Sequence, residues 1–199
     1  QSNITLTAHW QPKQQYVYYH LDGGVFSDDI TTPEIIKHES GISYSLFNIE
    51  SDDFTLPTPT KPGYDFIGWV AGGTSDVYPT VTITKGTVGN QSYTARWKAN
   101  GNTPYTVNIY YMDKNGQYQE KPDRTKTEIG ATDTTATIPD SAYIKNGFSF
   151  DATKSSNSGT ITGDGKLQLS LYYARNQYDI TFKSYDGSET LYSYKGYYD

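Results

Sequence analysis

Apolar and polar residues alternate with a period of two along much of this chain. The pattern is clearest in Thr80-Val81-Thr82-Ile83-Thr84 and in Gly165-Lys166-Leu167-Gln168-Leu169-Ser170-Leu171-Tyr172-Tyr173. Both stretches are rich in β-branched or aromatic side chains, which suit a pleated, half-buried surface and predict strands. One stretch predicts a helix instead. Thr31-Thr32-Pro33-Glu34-Ile35-Ile36-Lys37-His38-Glu39-Ser40-Gly41 offers a Thr cap, a proline in the first turn, an early acid and a closing glycine, enough for two to three turns.

The alternation is organised into repeats. Leu6-Thr7-Ala8-His9-Trp10 recurs as Tyr93-Thr94-Ala95-Arg96-Trp97, with a looser copy at Leu171-Tyr172-Tyr173-Ala174-Arg175. After each copy comes a polar link and a new strand-like start: Tyr16 to Tyr19, Tyr105 to Tyr111, and Tyr178 to Phe182. Each start runs into a glycine turn, at Asp22-Gly23-Gly24, Asn115-Gly116 and Asp186-Gly187, a strong hairpin signal because these residues tolerate positive φ. The chain therefore divides into the end of one repeat (1–11), a module at 12–99, a second at 100–176 and the start of a third at 177–199. Asn100-Gly101-Asn102-Thr103-Pro104 is the link between the two full modules, too short for free tumbling.

Composition narrows the class. With 20 Tyr, 7 Phe and 3 Trp in 199 residues, the chain is too aromatic to be disordered. A net charge of -6 with no long basic run gives counterion release no source, so nucleic acid is not an expected partner. No apolar run approaches a membrane span, so membrane insertion is not expected. The absence of cysteine excludes disulfides and thiolate chemistry. The chain starts Gln1-Ser2-Asn3, without an initiator Met or signal peptide, as expected of a fragment of something longer.

In the first module the segment Phe54-Thr55-Leu56-Pro57-Thr58-Pro59-Thr60-Lys61-Pro62-Gly63-Tyr64-Asp65-Phe66-Ile67-Gly68-Trp69 stands out. Its prolines hold an extended path, Pro62-Gly63 turns it, and Tyr64, Phe66 and Trp69 then feed a core. Together with Tyr93-Thr94-Ala95-Arg96-Trp97, it resembles the internalin B-repeat, also called the Listeria–Bacteroides repeat. The second module, through Tyr105 to Tyr111, Asn146-Gly147-Phe148-Ser149-Phe150-Asp151, Ser158 to Gly165 and Leu169 to Asn176, is similar to the MucBP-like repeats of Gram-positive surface proteins. Both resemblances imply a β-rich (α+β) fold class: tandem small β-grasp-like modules, each a curled sheet with at most one short helix. They imply an extracellular setting too, on the bacterial cell surface, wall-attached or secreted, although no wall-sorting motif occurs here.

Candidate chemistry is sparse. His9, His20 and His38 are the only histidines and suit surface or packing roles; Asp28-Asp29 and Asp52-Asp53 suit solvated turns. No catalytic residue is assigned and no enzyme is expected. Asp113-Lys114-Asn115-Gly116 and Gly163-Asp164-Gly165 superficially resemble calcium loops but lack the acid spacing and distal Glu, so neither a metal nor a cofactor is expected. A Lys to Asn crosslink beside a buried acid would need a spatial adjacency that spacing alone does not define. The tyrosines are the remaining candidates, as amphipathic rings suited to a shallow glycan or protein site. Of the pairs Tyr18-Tyr19, Tyr110-Tyr111 and Tyr172-Tyr173, strand alternation sends one member inward; Tyr18, Tyr110 and Tyr172 are the surface candidates, while Trp69 and Trp97 belong to the core. The function expected is a non-enzymatic extracellular repeat segment, a stalk or spacer in an adhesin-type protein. The alternative is an adhesion module that binds host glycan or a surface protein through exposed tyrosines.

Overall fold

The computed structural model describes residues 4–38 and 42–198. The chain divides into two compact units, Gln1–Lys98 and Ala99–Asp199. Among the described residues every regular element is a strand.

Unit 1 contains β1 (Gln15–His20), β2 (Ile36–Lys37), β3 (Ser43–Phe47), β4 (Phe54–Thr55), β5 (Tyr64–Ala71), β6 (Val77–Tyr78), β7 (Thr82–Ile83) and β8 (Gln91–Ala99). Six of these form one sheet in the order β2-β3-β1-β8-β5-β6. At its centre β1 and β8, the first and last long strands of the unit, run parallel, with Val17 opposite Gln91 and Tyr19 opposite Tyr93. Alternation along β1 sends Val17 and Tyr19 into the core and leaves Tyr16 and Tyr18 on the other face. The pair β4–β7 and the proline-rich segment cover the core face, contributing Leu56, Ile83 and a fully buried Pro59. Trp69 is 1% exposed and packs against Tyr19, Phe26 and Phe66. Trp97 closes the edge of this core, its ring on Phe66 and its Nε1 donating to the carbonyl of Leu21 at 3.0 Å. Gly68, at φ +142°, has to be glycine: a Cβ would lie 2.5 Å from the carbonyl oxygen of Tyr78, where β6 folds against β5.

Unit 2 contains β9 (Thr103–Tyr111), β10 (Arg124–Gly130), β11 (Thr135–Thr137), β12 (Phe148–Phe150), β13 (Ser158–Thr160), β14 (Gln168–Arg175), β15 (Gln177–Lys183) and β16 (Thr190–Tyr197). Its four-stranded sheet has the order β10-β9-β14-β12, again with the first and last strands of the sheet parallel at the centre, Val107 opposite Leu169 and Ile109 opposite Leu171. These four residues, with Tyr105 and Tyr173, build a core that β11–β13 and its neighbours cap through Ala136, Ile138 and Ile161. The two units thus share a four-strand centre, β3-β1-β8-β5 in unit 1 and β10-β9-β14-β12 in unit 2, with a short separate strand pair over the core, and unit 1 adds β2 and β6 at its edges. The hairpin β15–β16 stands apart as a two-stranded sheet. It is fastened by its end: Tyr198 N donates to Asn176 O at 2.9 Å, Arg175 Nη1 donates to Tyr198 O at 2.6 Å, and the Tyr198 ring lies where a Cβ on Gly147 would fall.

The α+β expectation is corrected to all-β. The helix expected over 31–41 is not formed where it is described; residues 39–41 lie outside the described residues, and Ile36–Lys37 is an edge strand paired with β3. The cause is tertiary. Tyr19 OH donates to Ser45 Oγ at 3.1 Å, and Ser45 Oγ donates to the carbonyl of Glu34 at 2.7 Å, which ties this segment to the sheet in extended form. A helix of two or three turns with two adjacent β-branched isoleucines has little intrinsic stability to oppose that. The glycine turns also differ from expectation. Asp22 and Gly23, and Gly116, do adopt positive φ, yet the strand that returns against β1 is β3 and the one against β9 is β10, many residues on. Only Asp186-Gly187 closes a tight hairpin, with Ser184 N donating to Glu189 O at 2.8 Å. Of the strand expected over 80–84, Thr82–Ile83 forms as β7; Tyr93 to Trp97 and Leu171 to Arg175 lie in β8 and β14. Leu6 to Trp10, with the same residue pattern, is in no strand, and Leu6 and Trp10 are 91% and 90% exposed.

Trp69 and Trp97 pack in the core of unit 1 and Trp10 is exposed, so the change of tryptophan fluorescence on unfolding follows that unit alone. Trp69→Ala removes the largest fully buried side chain and should cost unit 1 about 3–5 kcal/mol. In urea, the fluorescence midpoint should fall while a second transition, seen by circular dichroism, stays where it was. A common shift of both transitions would contradict two separate cores.

Candidate functional site

Two aromatic patches lie on the outward faces of the sheets. In unit 1, Tyr16 and Tyr18 stack along β1 with centroids 5.6 Å apart and planes 10° from parallel. Tyr44, opposite Tyr18 on β3, meets Tyr16 edge-on at 5.7 Å. With His38 and Ile42 the three rings line an open cleft of about 350 Å³. Stacking covers one face of each of the Tyr16 and Tyr18 rings, and the cleft is lined mainly by apolar ring and aliphatic surface.

In unit 2, Tyr110 and Tyr172 sit opposite one another on the parallel strands β9 and β14 and stack at 4.4 Å, 6° from parallel. Tyr118 caps the stack edge-on at 5.0 Å and donates its hydroxyl to Asp151 Oδ2 at 3.1 Å. Asp151 Oδ1 also accepts from the Thr153 hydroxyl at 2.6 Å and from the amides of Thr153 and Lys154. The Thr153 hydroxyl chiefly, with the other donors, holds the Asp151 carboxyl below the usual carboxylate range. Burial, then the Asp151 hydrogen bond, pushes the Tyr118 phenol up. Burial likewise raises Tyr110.

Of the three expected surface tyrosines, Tyr18 and Tyr172 are half-exposed on the outward faces. Tyr110 is on the outward face too, but with only 9% exposure, because Tyr172 covers it; it is a support for the neighbouring ring and not a surface ring. Tyr19 and Tyr173 are the inward members of their pairs, and Tyr111 packs beside the core. Sequence reasoning missed Tyr16, Tyr44 and Tyr118. Tyr16 was within reach through its two-residue spacing from Tyr18, whereas Tyr44 and Tyr118 arrive through long-range pairing.

A third aromatic surface lies on the hairpin. Tyr178, Ile180 and Phe182 of β15 share a face with Tyr192 and Tyr194 of β16, with Phe182 6.3 Å from Tyr192 and 6.4 Å from Tyr194. The opposite face is polar, with Asp179 paired to Lys195 at 3.3 Å and the Thr181 and Ser193 hydroxyls 3.3 Å apart.

The remaining candidates are absorbed by local structure. Asp28 accepts from Lys37 Nζ at 2.9 Å, which lowers its pKa, and Asp53 accepts from the amide of Lys85. Asp113 Oδ1 accepts from the amides of Asn115 and Gln117, and Asp164 Oδ1 from the Thr162 hydroxyl and the amide of Lys166. These carboxylates close turns, and among the described residues no group of three or more His, Asp or Glu could hold a metal. His20 Nε2 lies 3.2 Å from Ser92 Oγ on an exposed strand face, while His9 is exposed in the segment before β1. Lys61, largely covered, donates to the carbonyl of Asp22 and rests over the Tyr64 ring. No known protein-family profile matches the chain, and no curated protein matches it.

The buried phenols set an alkaline limit. Burial, opposed by the Ser45 hydrogen bond, pushes Tyr19 from 10.0 up to about 12, and burial raises Tyr93, Tyr105 and Tyr173 as well. Since the folded pKa lies above the unfolded one, this stabilisation is fully present below pH 10 and is lost as pH rises through about 12. Urea midpoints should therefore begin to fall above pH 10; a constant midpoint across that interval would mean that these rings are not enclosed.

Proposed function

We propose that this chain is a non-enzymatic repeat segment of an extracellular bacterial surface protein, acting as a load-bearing spacer. Each unit is a β-grasp-like sheet in which a short strand pair takes the place of a helix over the core. The first unit corresponds to an internalin B-repeat, the second to a MucBP-like repeat, and β15–β16 to the opening hairpin of a third.

The parallel pairing of first and last strands carries this reading. The chain enters unit 1 at the start of β1 and leaves at the end of β8, and the strands are parallel, so entry and exit lie at opposite ends of the shared ladder. Tension on the chain therefore loads all the β1–β8 hydrogen bonds together in shear; an antiparallel pair would open one bond at a time from a common end. Unit 2 has the same arrangement, with a longer paired stretch, Thr106 to Tyr111 against Gln168 to Tyr173, where unit 1 pairs only Val17 to His20 with Gln91 to Thr94. Junctions support transmission of load: Arg175 ends β14 and Gln177 starts β15, with Asn176 alone between them.

Pulling the chain by its ends should give two separate ruptures, each releasing roughly 200–300 Å at ~3.3–3.6 Å per residue. The second, stronger rupture should be that of unit 2. A single rupture, or unzipping at low force, would remove the spacer reading.

The cleft edged by Tyr16, Tyr18 and Tyr44 favours a second reading, an adhesion surface for a host glycan or surface protein in which Tyr18 takes part and Tyr172 forms the corresponding ring on unit 2. On a glycan array, that reading requires saturable binding that Tyr18→Ala abolishes while the urea midpoint is unchanged. Silence of the intact chain across the array, and against host surface proteins, would leave the spacer role alone.

A further inference from the structure

The six-stranded sheet of unit 1 ends in β2 and β6, of two residues each, and the four-stranded sheet of unit 2 ends in β12, of three residues, and β10, of seven. Very short edge strands offer little for another chain to pair with, whereas a long one is a template. Among the described residues β10 pairs with β9 alone.

The ladder behind β10 fixes which of its backbone groups are free. Thr106 N donates to Leu167 O at 2.9 Å and Met112 N donates to Tyr173 O at 3.0 Å, so alternate residues of β9, Thr106 among them, turn toward β14. Thr127 stands opposite Thr106, and its N–H and C=O therefore point away from β9, out of the sheet edge; those of Thr125 and Ile129 follow by alternation. All three residues are exposed, Ile129 at 64%.

Charges on an edge strand normally oppose pairing, and Lys126 and Glu128 flank Thr127. These two have opposite signs, however, and lie on one face with Nζ 3.4 Å from Oε1. Rotation about a twofold axis through Thr127 sets Lys126 of one copy against Glu128 of the other, twice, in the close positions between hydrogen-bonded pairs. Thr125 then meets Ile129 on the opposite face, and the outward N–H and C=O groups of Thr125, Thr127 and Ile129 meet their own kind. Slipping this register by two residues either way sets Lys126 against Lys126 or Glu128 against Glu128 on the axis and leaves strand ends unpaired. A slip of one residue puts the charged face of one copy beside the outer face of the other.

We infer that two copies of this chain associate through the free edges of β10, antiparallel about a twofold axis at Thr127, which joins their four-stranded sheets into one. The occupant is a second copy because this edge is complementary to itself in charge, in face and in the phase of its free hydrogen-bonding groups. The contact is isologous, so it closes at the dimer. One strand edge buries far less than a standard interface, and the association is accordingly weak. The inference rests on the sheet of unit 2 and is independent of the spacer role.

Sedimentation velocity tests it with the full 199-residue chain. Between about 10 μM and about 1 mM the chain should pass from monomer to dimer and to nothing larger. Thr127→Pro removes an N–H that β9 does not use, a position where an edge strand tolerates proline; it should abolish the dimer and leave the circular-dichroism transition of unit 2 in urea in place. Lys126→Glu and Glu128→Lys should each weaken the dimer at least about fivefold, since each sets like charges opposite one another twice. Mixed one to one, these two variants should recover a dimer, because every facing pair is then opposite in sign. That recovery stands whether or not the Thr127→Pro chain folds. A wild-type chain that stays monomeric leaves the edge to some other partner and overturns the inference. So does a Thr127→Pro chain that associates like wild type, or a mixture of the two charge variants that remains monomeric.

Discussion

The parallel ladder between first and last strands is the constraint on which the rest of this molecule depends. It joins residues far apart in sequence, Tyr19 with Tyr93 and Ile109 with Leu171, and so no unit has a core until its whole length is in place. Everything else is arranged around that seam. β3 and β10 extend it on one edge and β5 and β12 on the other, and the short pairs β4–β7 and β11–β13 cover its apolar face. Parallel strands have evenly spaced, slanted hydrogen bonds and need long crossovers, and here the connections between β1 and β8 and between β9 and β14 contain the other strands of each sheet and the short covering pairs.

The same seam accounts for what was and was not legible in the sequence. Tyr93 to Trp97 and Leu169 to Tyr173 signalled strands by alternation, and they lie in β8 and β14. Leu6 to Trp10 has an equally clear pattern and forms no strand, so alternation by itself does not decide which segments pair. Local rules also misjudged Thr31 to Gly41, where cap, proline and glycine favour a helix but the Tyr19–Ser45–Glu34 hydrogen bonds hold Glu34 against an edge strand. At the aromatic patches, alternation correctly separated Tyr18 from Tyr19 and Tyr172 from Tyr173. It could not show that Tyr172 would cover Tyr110, since that depends on the register of β14 against β9, nor that Tyr44 and Tyr118 would complete the patches.

A polar chain with no cysteine and a small share of aliphatic residues has to draw its cohesion from tyrosine. Inward rings such as Tyr19 and Tyr173 supply apolar area while their hydroxyls reach Ser45 Oγ and the amide of Tyr143. Outward rings stack across strands and along them, sheltering the backbone of the central ladder in the way aliphatic side chains would, without making the surface wholly apolar. Carboxylates complete the economy at the turns, where Asp113, Asp151, Asp164 and Asp186 each accept hydrogen bonds from nearby amides. The extreme case is Asp186, lowered to about 2 by the Ser184 and Ser188 donors.

Native-state hydrogen exchange tests the central role of the parallel seam most directly. If the seam is what each unit depends on, the slowest amides will be those shared between β1 and β8 and between β9 and β14, exchanging only with global unfolding of their unit, while β4–β7, β11–β13 and β15–β16 exchange through smaller openings. Protection in the short pairs or the hairpin equal to that of the central strands would contradict the account.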